Sequence, residues 1–128
     1  MIIIDTDALI EVLNKKSKKG QEIYEKMEQN KESFAITSIT LYEILHFFMK
    51  MKMNTFPPLH LLQVYGFSKE AAQKAAELVI ELEKKGRKVK ATTLMISSIV
   101  INENAIICTL NHDFNELKDA GLNLFLVN

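Results

Sequence analysis

Met1-Ile2-Ile3-Ile4-Asp5-Thr6-Asp7-Ala8-Leu9-Ile10 is an apolar run that stops at two closely spaced acids and then changes period. Residues 1–4 are mostly β-branched, whereas Ala8, Leu9, Val12 and Leu13 recur at helical spacing. The run predicts a buried strand that ends at Asp5 and turns directly into a helix. It is too short to span a bilayer, no basic segment precedes it, and no small-residue cleavage site follows it. Neither export nor membrane insertion is expected.

The alternation continues outward from this stretch. Lys18 to Gln29 is predicted helical, with Ile23 and Met27 four apart on its buried side and Asn30 near its end. Phe34-Ala35-Ile36 reads as a strand, followed by a helix from Ser38 to Met53 that is loaded with apolar side chains; Pro57-Pro58 ends it. A short extended piece, Leu61 to Tyr65, leads to Ser68, which can cap a long helix running through Lys85 and stopping at Gly86. Lys90 to Asn102 is helical again, and Ala105 to Thr109 and Leu122 to Val127 are strands. Strands separated by helices need crossover connections. The expected fold is therefore α/β, a three-layer α/β/α sandwich around a central, mainly parallel twisted sheet.

With 128 residues, 48% of them apolar, the chain suits one domain over residues 1–128. Sixteen Lys and Arg balance sixteen Asp and Glu, so no global basic field marks a nucleic-acid partner and any such contact must be a local patch. Cys108, the single cysteine, lies in the apolar run Ala105-Ile106-Ile107-Cys108. It excludes an intrachain disulfide, predicts a buried thiol and fits a cytoplasmic setting.

In doubly wound sheets ligands bind at the carboxyl ends of the strands. Three acids fall there: Asp5 after the first strand, Glu43 early in the helix after Phe34, and Asp113 beyond the strand ending at Thr109. Converging carboxylates repel one another unless a divalent cation joins them, and oxygen donors favour magnesium or manganese. Thr6, Asp7 and Asn111 could add oxygens. The competing use of every one of these residues is a helix cap. Asp5 or Asp7 could cap the helix that begins near Ala8, Thr40-Leu41-Tyr42-Glu43 fits a capping box, and Asp113-Phe114-Asn115-Glu116 is a similar capped start. Composition and spacing leave both uses open.

Three blocks resemble the motifs of the PIN-domain family, in that family's order and at its usual separations. They are Asp5-Thr6-Asp7-Ala8-Leu9-Ile10, Ser38-Ile39-Thr40-Leu41-Tyr42-Glu43-Ile44-Leu45, and Cys108-Thr109-Leu110-Asn111-His112-Asp113-Phe114. The resemblance covers essentially the whole chain and is greatest to the VapC toxins of toxin–antitoxin pairs. It implies an endoribonuclease whose carboxylates hold one or two magnesium or manganese ions, inhibited by a cognate antitoxin protein and assembled as a homodimer. Asp5 and Glu43 match the first two family acids, and Asn111 and Asp113 lie in the block that supplies the last. Asp5, Glu43 and Asp113 are the expected catalytic acids, Asn111 and Thr93 further metal ligands, and Thr6, Asp7 and Thr40 supporting residues.

One position departs from the pattern. Within Gly86-Arg87-Lys88-Val89-Lys90-Ala91-Thr92-Thr93-Leu94-Met95-Ile96-Ser97-Ser98, the family's additional aspartate falls on Thr93. A hydroxyl there removes one charge and one strong ligand, so metal affinity should fall and a two-metal arrangement is disfavoured. The plainer use of Thr92 or Thr93 is to cap the following helix. Lys84, Lys85, Arg87, Lys88 and Lys90 form the one dense basic run, suited to RNA phosphates or merely to the preceding helix C-terminus and to solvent. His112 beside Asp113 could touch a phosphate, while His60 has no visible partner. The lone Glu43–His46 pair lacks the second motif that a bundle di-metal site needs. Phe47 to Met53 is apolar enough to extend into a dimer or partner surface. Two readings result, a metal-dependent RNA hydrolase and a PIN-like RNA- or protein-binding module without turnover.

Overall fold

The computed structural model describes residues 1–127, apart from the side chain of His60, so that residue's lack of a visible partner lies outside what is described. The apolar N-terminus forms β1 (Ile2–Ile4), buried on both faces. β1 pairs in parallel with β2 (Phe34–Thr37) on one side and β4 (Ile106–Thr109) on the other, with Ile2 opposite Phe34 and Ile106. β3 (Gln63–Tyr65) extends the sheet beyond β2, and β5 (Asn123–Leu126) extends it beyond β4. The strand order is β3-β2-β1-β4-β5 and every pairing is parallel.

Alternate side chains of each strand serve opposite faces, and this divides the core in two. Ile2, Ile4, Ile36 and Cys108 pack with α1 (Thr6–Leu13), α2 (Lys18–Gln29) and α3 (Ser38–Lys50). Ile3, Ala35 and Ile107 pack with α4 (Lys69–Lys84) and α5 (Ala91–Asn102). The expected three-layer α/β/α sandwich is therefore what the chain forms.

Local signals account for most boundaries. Ser17 and Ser68 cap α2 and α4 by accepting the N–H of Gly20 at 3.0 Å and of Ala71 at 3.1 Å. Along α4, Ala71, Ala75, Leu78 and Leu82 form one buried stripe, in which each leucine contributes about 1.5–3 kcal/mol. Gly86, at φ 67, closes that helix in the left-handed region that glycine enters freely. The helix expected to reach Met53 stops at Lys50, because Lys52 takes φ 55 and turns the chain away. Short 3₁₀ segments follow at Leu59–Leu61 and His112–Ala120. Among the described residues no helix is long and apolar enough to cross a membrane.

From β1 the chain builds outward through β2 and β3, then returns through α4 and α5 to place β4 on the far side of β1. That reversal leaves a crevice at the carboxyl ends of β1 and β4, where neighbouring connections depart in opposite directions.

Candidate active site

The register that sets Ile4 against Cys108 brings the next residues, Asp5 and Thr109, side by side at this crevice. The Asp5 N–H donates to the Cys108 carbonyl at 2.9 Å, and the Thr109 hydroxyl donates to Asp5 Oδ2 at 2.7 Å. The Asn111 N–H donates to the same hydroxyl oxygen at 3.0 Å, which leaves the Thr109 proton for Asp5. Asp7, in the first turn of α1, accepts the Leu110 N–H on Oδ1 at 3.2 Å. From the other side α3 contributes Glu43, whose Oε1 accepts the Thr6 hydroxyl at 2.8 Å. Asp7 and Glu43 are thus each held through one oxygen. Asp7 Oδ2 and Glu43 Oε2 have no hydrogen-bond partner among the described residues, and the Asp5 carboxylate also faces the Thr6 N–H.

These groups line a cavity of about 250 Å³. α5 forms the facing wall with Lys90, Thr92, Thr93 and Ile96, Asn111 joins from the end of β4, and Ile10 and Phe114 add apolar surface. Burial pushes the Asp5 carboxyl up to about 6, and the charge of Asp7 adds to the rise; the Thr109 hydroxyl and the Thr6 N–H oppose it, and Glu43 adds a smaller repulsion. Asp5 is 7% exposed, so its ionised form is short of water as well as of cations. Cys108, buried directly behind, is pushed up to about 12 by burial and then by Asp7 and Asp5, so its thiol stays protonated and takes no part as a nucleophile. The expectation of a buried cysteine is met.

Of the residues expected at the site, the structure brings together Asp5, Thr6, Asp7, Glu43, Lys90, Thr93 and Asn111. It does not bring Asp113. Asn111 caps the His112–Ala120 segment by accepting the Asp113 N–H at 3.0 Å, and the turn leaves the Asp113 side chain exposed and outside the cavity wall. Asn111 is therefore the member of that pair that meets the acids. Thr40 is buried in α3 away from the cavity, where its N–H donates to Thr37. His112, Lys85 and Lys88 are exposed outside the wall, and Arg87 pairs with Glu116 at 3.4 Å.

The capping alternatives resolve against the acids being caps. Asp5 occupies the N-cap position of α1 but its side chain makes no cap bond. Thr37, not Thr40, caps α3, which leaves Glu43 to Thr6. Lys90 holds the N-cap position of α5, so Thr92 and Thr93 lie inside the helix rather than at its cap. Thr109 is the site residue that the sequence did not single out; its only signal was its place at the end of a strand. His46 stacks on Tyr42, with ring centroids 6.2 Å apart, and is no partner to the Glu43 carboxylate in the cavity.

No protein-family profile and no curated protein matches the chain. Solved structures do. The chain is similar to VapBC2 from Rickettsia felis, bound to a DNA fragment from its promoter, with a TM-score of 0.76, 26% identity and all of both chains covered. It is similar also to DNA-bound VapBC from Salmonella typhimurium, with a TM-score of 0.73 and 21% identity over 97% of this chain and 96% of that one. FitAcB from Neisseria gonorrhoeae superposes with a TM-score of 0.73 and 16% identity over 98% and 96%. The chain has the VapC-type PIN fold. The likeness spans its whole length and bears out the resemblance of the three sequence blocks.

The polar donors of this VapC-type cavity are hard oxygens. Among the described residues no three His, Cys, Asp or Glu side chains are grouped so as to hold a metal ion. Magnesium, however, keeps several waters and is held by one or two carboxylates together with substrate phosphate. Asp5 and Glu43, oriented from behind by the Thr109 and Thr6 hydroxyls, are two carboxylates of the kind that mode uses.

Proposed function

We propose that this chain is a metal-dependent endoribonuclease of the VapC toxin type. The observation that carries the reading is that Asp5, bound by Thr109, and Glu43, bound by Thr6, line the same cavity. Asp5 and Glu43 would hold magnesium or manganese, with Asp7 and Asn111 supporting. When bound, such an ion activates water for in-line attack on a phosphodiester and offsets charge on the phosphate oxygens. Asp5 and Glu43 keep their orientation through Thr109 and Thr6, Ile10 and Phe114 limit water on one side, and Lys90 offers positive charge to the RNA backbone.

Structures similar to the chain include a toxin-antitoxin complex from Klebsiella pneumoniae and VapBC-5 from Mycobacterium tuberculosis, a member of the VapBC family of toxin-antitoxin systems. A cognate antitoxin protein is the partner we propose, together with a homodimer. Tyr42 and Met49, 68% and 62% exposed on α3, supply an apolar surface for such contacts. The second reading, a PIN-like binding module without turnover, draws on Thr93, which offers a hydroxyl where the family resemblance places a carboxylate. Incubation of the purified chain with RNA and manganese separates the two. Cleavage that chelator abolishes and Glu43→Gln reduces by about a hundredfold or more supports the enzyme, since ligand loss removes charge stabilisation at the reacting centre. Absence of cleavage, with Glu43→Gln leaving manganese binding and growth toxicity unchanged, refutes it.

A further inference from the structure

The wall of the cavity that faces the acids carries the start of α5. α5 begins at Ala91 with no side chain capping it, and its first internal hydrogen bond runs from the Leu94 N–H to the Lys90 carbonyl at 3.1 Å. The N–H groups of Ala91, Thr92 and Thr93 therefore have no protein partner among the described residues and carry the positive end of a twelve-residue helix. No acidic residue stands in that first turn. Thr93 is 4% exposed and lines the cavity, and no protein group among the described residues hydrogen-bonds its hydroxyl, which opens onto the cavity. A hydroxyl held on a cavity wall with no protein partner keeps its proton available to an acceptor in the cavity. Lys90 lines the same wall, and among the described residues no carboxylate lies within ion-pair distance of its ammonium group.

We propose that Lys90, Thr93 and the opening N–H groups of α5 bind a phosphate group of the polyribonucleotide directly, opposite Asp5 and Glu43. The inference rests on the nuclease reading above for the identity of the ligand, and on the geometry of α5 for its place. A carboxylate at residue 93 would repel a phosphate and favour a cation. The threonine reverses that preference, because its hydroxyl donates a hydrogen bond to an anion beside a lysine and a helix N-terminus. Thr93 then serves to position substrate, and the acids opposite keep the metal.

The test is amide NMR of the intact chain titrated with inorganic phosphate in saturating magnesium. Saturable shifts at Ala91, Thr92 and Thr93 are expected, about tenfold weaker binding in Lys90→Met and in Thr93→Val, and none in Thr93→Asp. Lys90 is exposed and Thr93→Val is nearly isosteric, so unperturbed spectra elsewhere establish folding. Silence of the three amides, or wild-type affinity in both Lys90→Met and Thr93→Val, overturns the proposal. Oligoribonucleotides with a 5′-hydroxyl and with a 5′-phosphate should shift the amides alike; a response to the 5′-phosphate alone overturns assignment to an internal phosphodiester. Phosphate binding without RNA cleavage would uphold this phosphate site and defeat the nuclease reading, and cleavage without these shifts would do the reverse.

Discussion

Replacing Asp5 by Asn should stabilise the fold at neutral pH while impairing the site. Asp5 lies almost wholly out of water beside Asp7, and its carboxyl is pushed from its ordinary 3.8 to about 6. Between those values the native state binds more protons than the unfolded chain. Native stability contributed by this group is therefore highest when both states are protonated, falls as pH rises through the window, and reaches its full deficit above about pH 7. At about 1.36 kcal/mol per tenfold change, the deficit is about 3 kcal/mol. Asn keeps an oxygen that can accept the Thr109 hydroxyl, now at 2.7 Å from Asp5 Oδ2, and removes the buried charge. Urea unfolding in EDTA should show Asp5→Asn to be more stable by up to about 3 kcal/mol at pH 8, with the gap closing toward pH 4. Equal stability at pH 8, or a gap independent of pH, would refute the account of Asp5 as a strained, desolvated acid. Added manganese should narrow the gap at pH 8, because a cation that binds the native wild type stabilises it by mass action.

Two further substitutions probe the scaffold. A Cβ on Gly20 would lie 2.0 Å from the Glu11 carbonyl oxygen, so Gly20→Ala must push α2 away from α1; chemical denaturation should show a loss of about 3 kcal/mol or more, and a neutral result would mean the two helices do not approach so closely. Ser97, one helical turn beyond Thr93, buries an Oγ with no partner among the described residues. Ser97→Ala should raise stability by about 1 kcal/mol, and destabilisation would show that the hydroxyl is satisfied in solution.

The elements themselves were legible because their causes are local. The change from an apolar run to helical spacing at Asp5, the serine caps at Ser17 and Ser68 and the glycine stop at Gly86 each act within a few residues. The end of the Ser38 helix was placed three residues too far, since Met51 and Met53 continue the apolar pattern while Lys52 turns left-handed. Apolarity continues through that turn, and composition cannot register a single φ. The three motif blocks carried the fold further, and the parallel sheet followed from the alternation of strands and helices.

The site was legible as a set of residue types and illegible as an arrangement. At a strand-to-helix junction an acid that caps and an acid that awaits a cation look identical, because both uses need a short carboxylate in the same place. The difference lies in which distant group satisfies it: Thr109, 104 residues from Asp5, and Thr6, 37 residues from Glu43. Thr109 reaches Asp5 because β4 crosses to the far side of β1, and Thr6 reaches Glu43 because β2 pairs with β1 and brings α3 beside α1. The same crossing set Lys90 and Thr93 opposite the acids, while the turn capped by Asn111 kept Asp113 out of the cavity. Local chemistry thus named the elements and most of the acids, while long-range register, set by burial, selected which of them share a cavity.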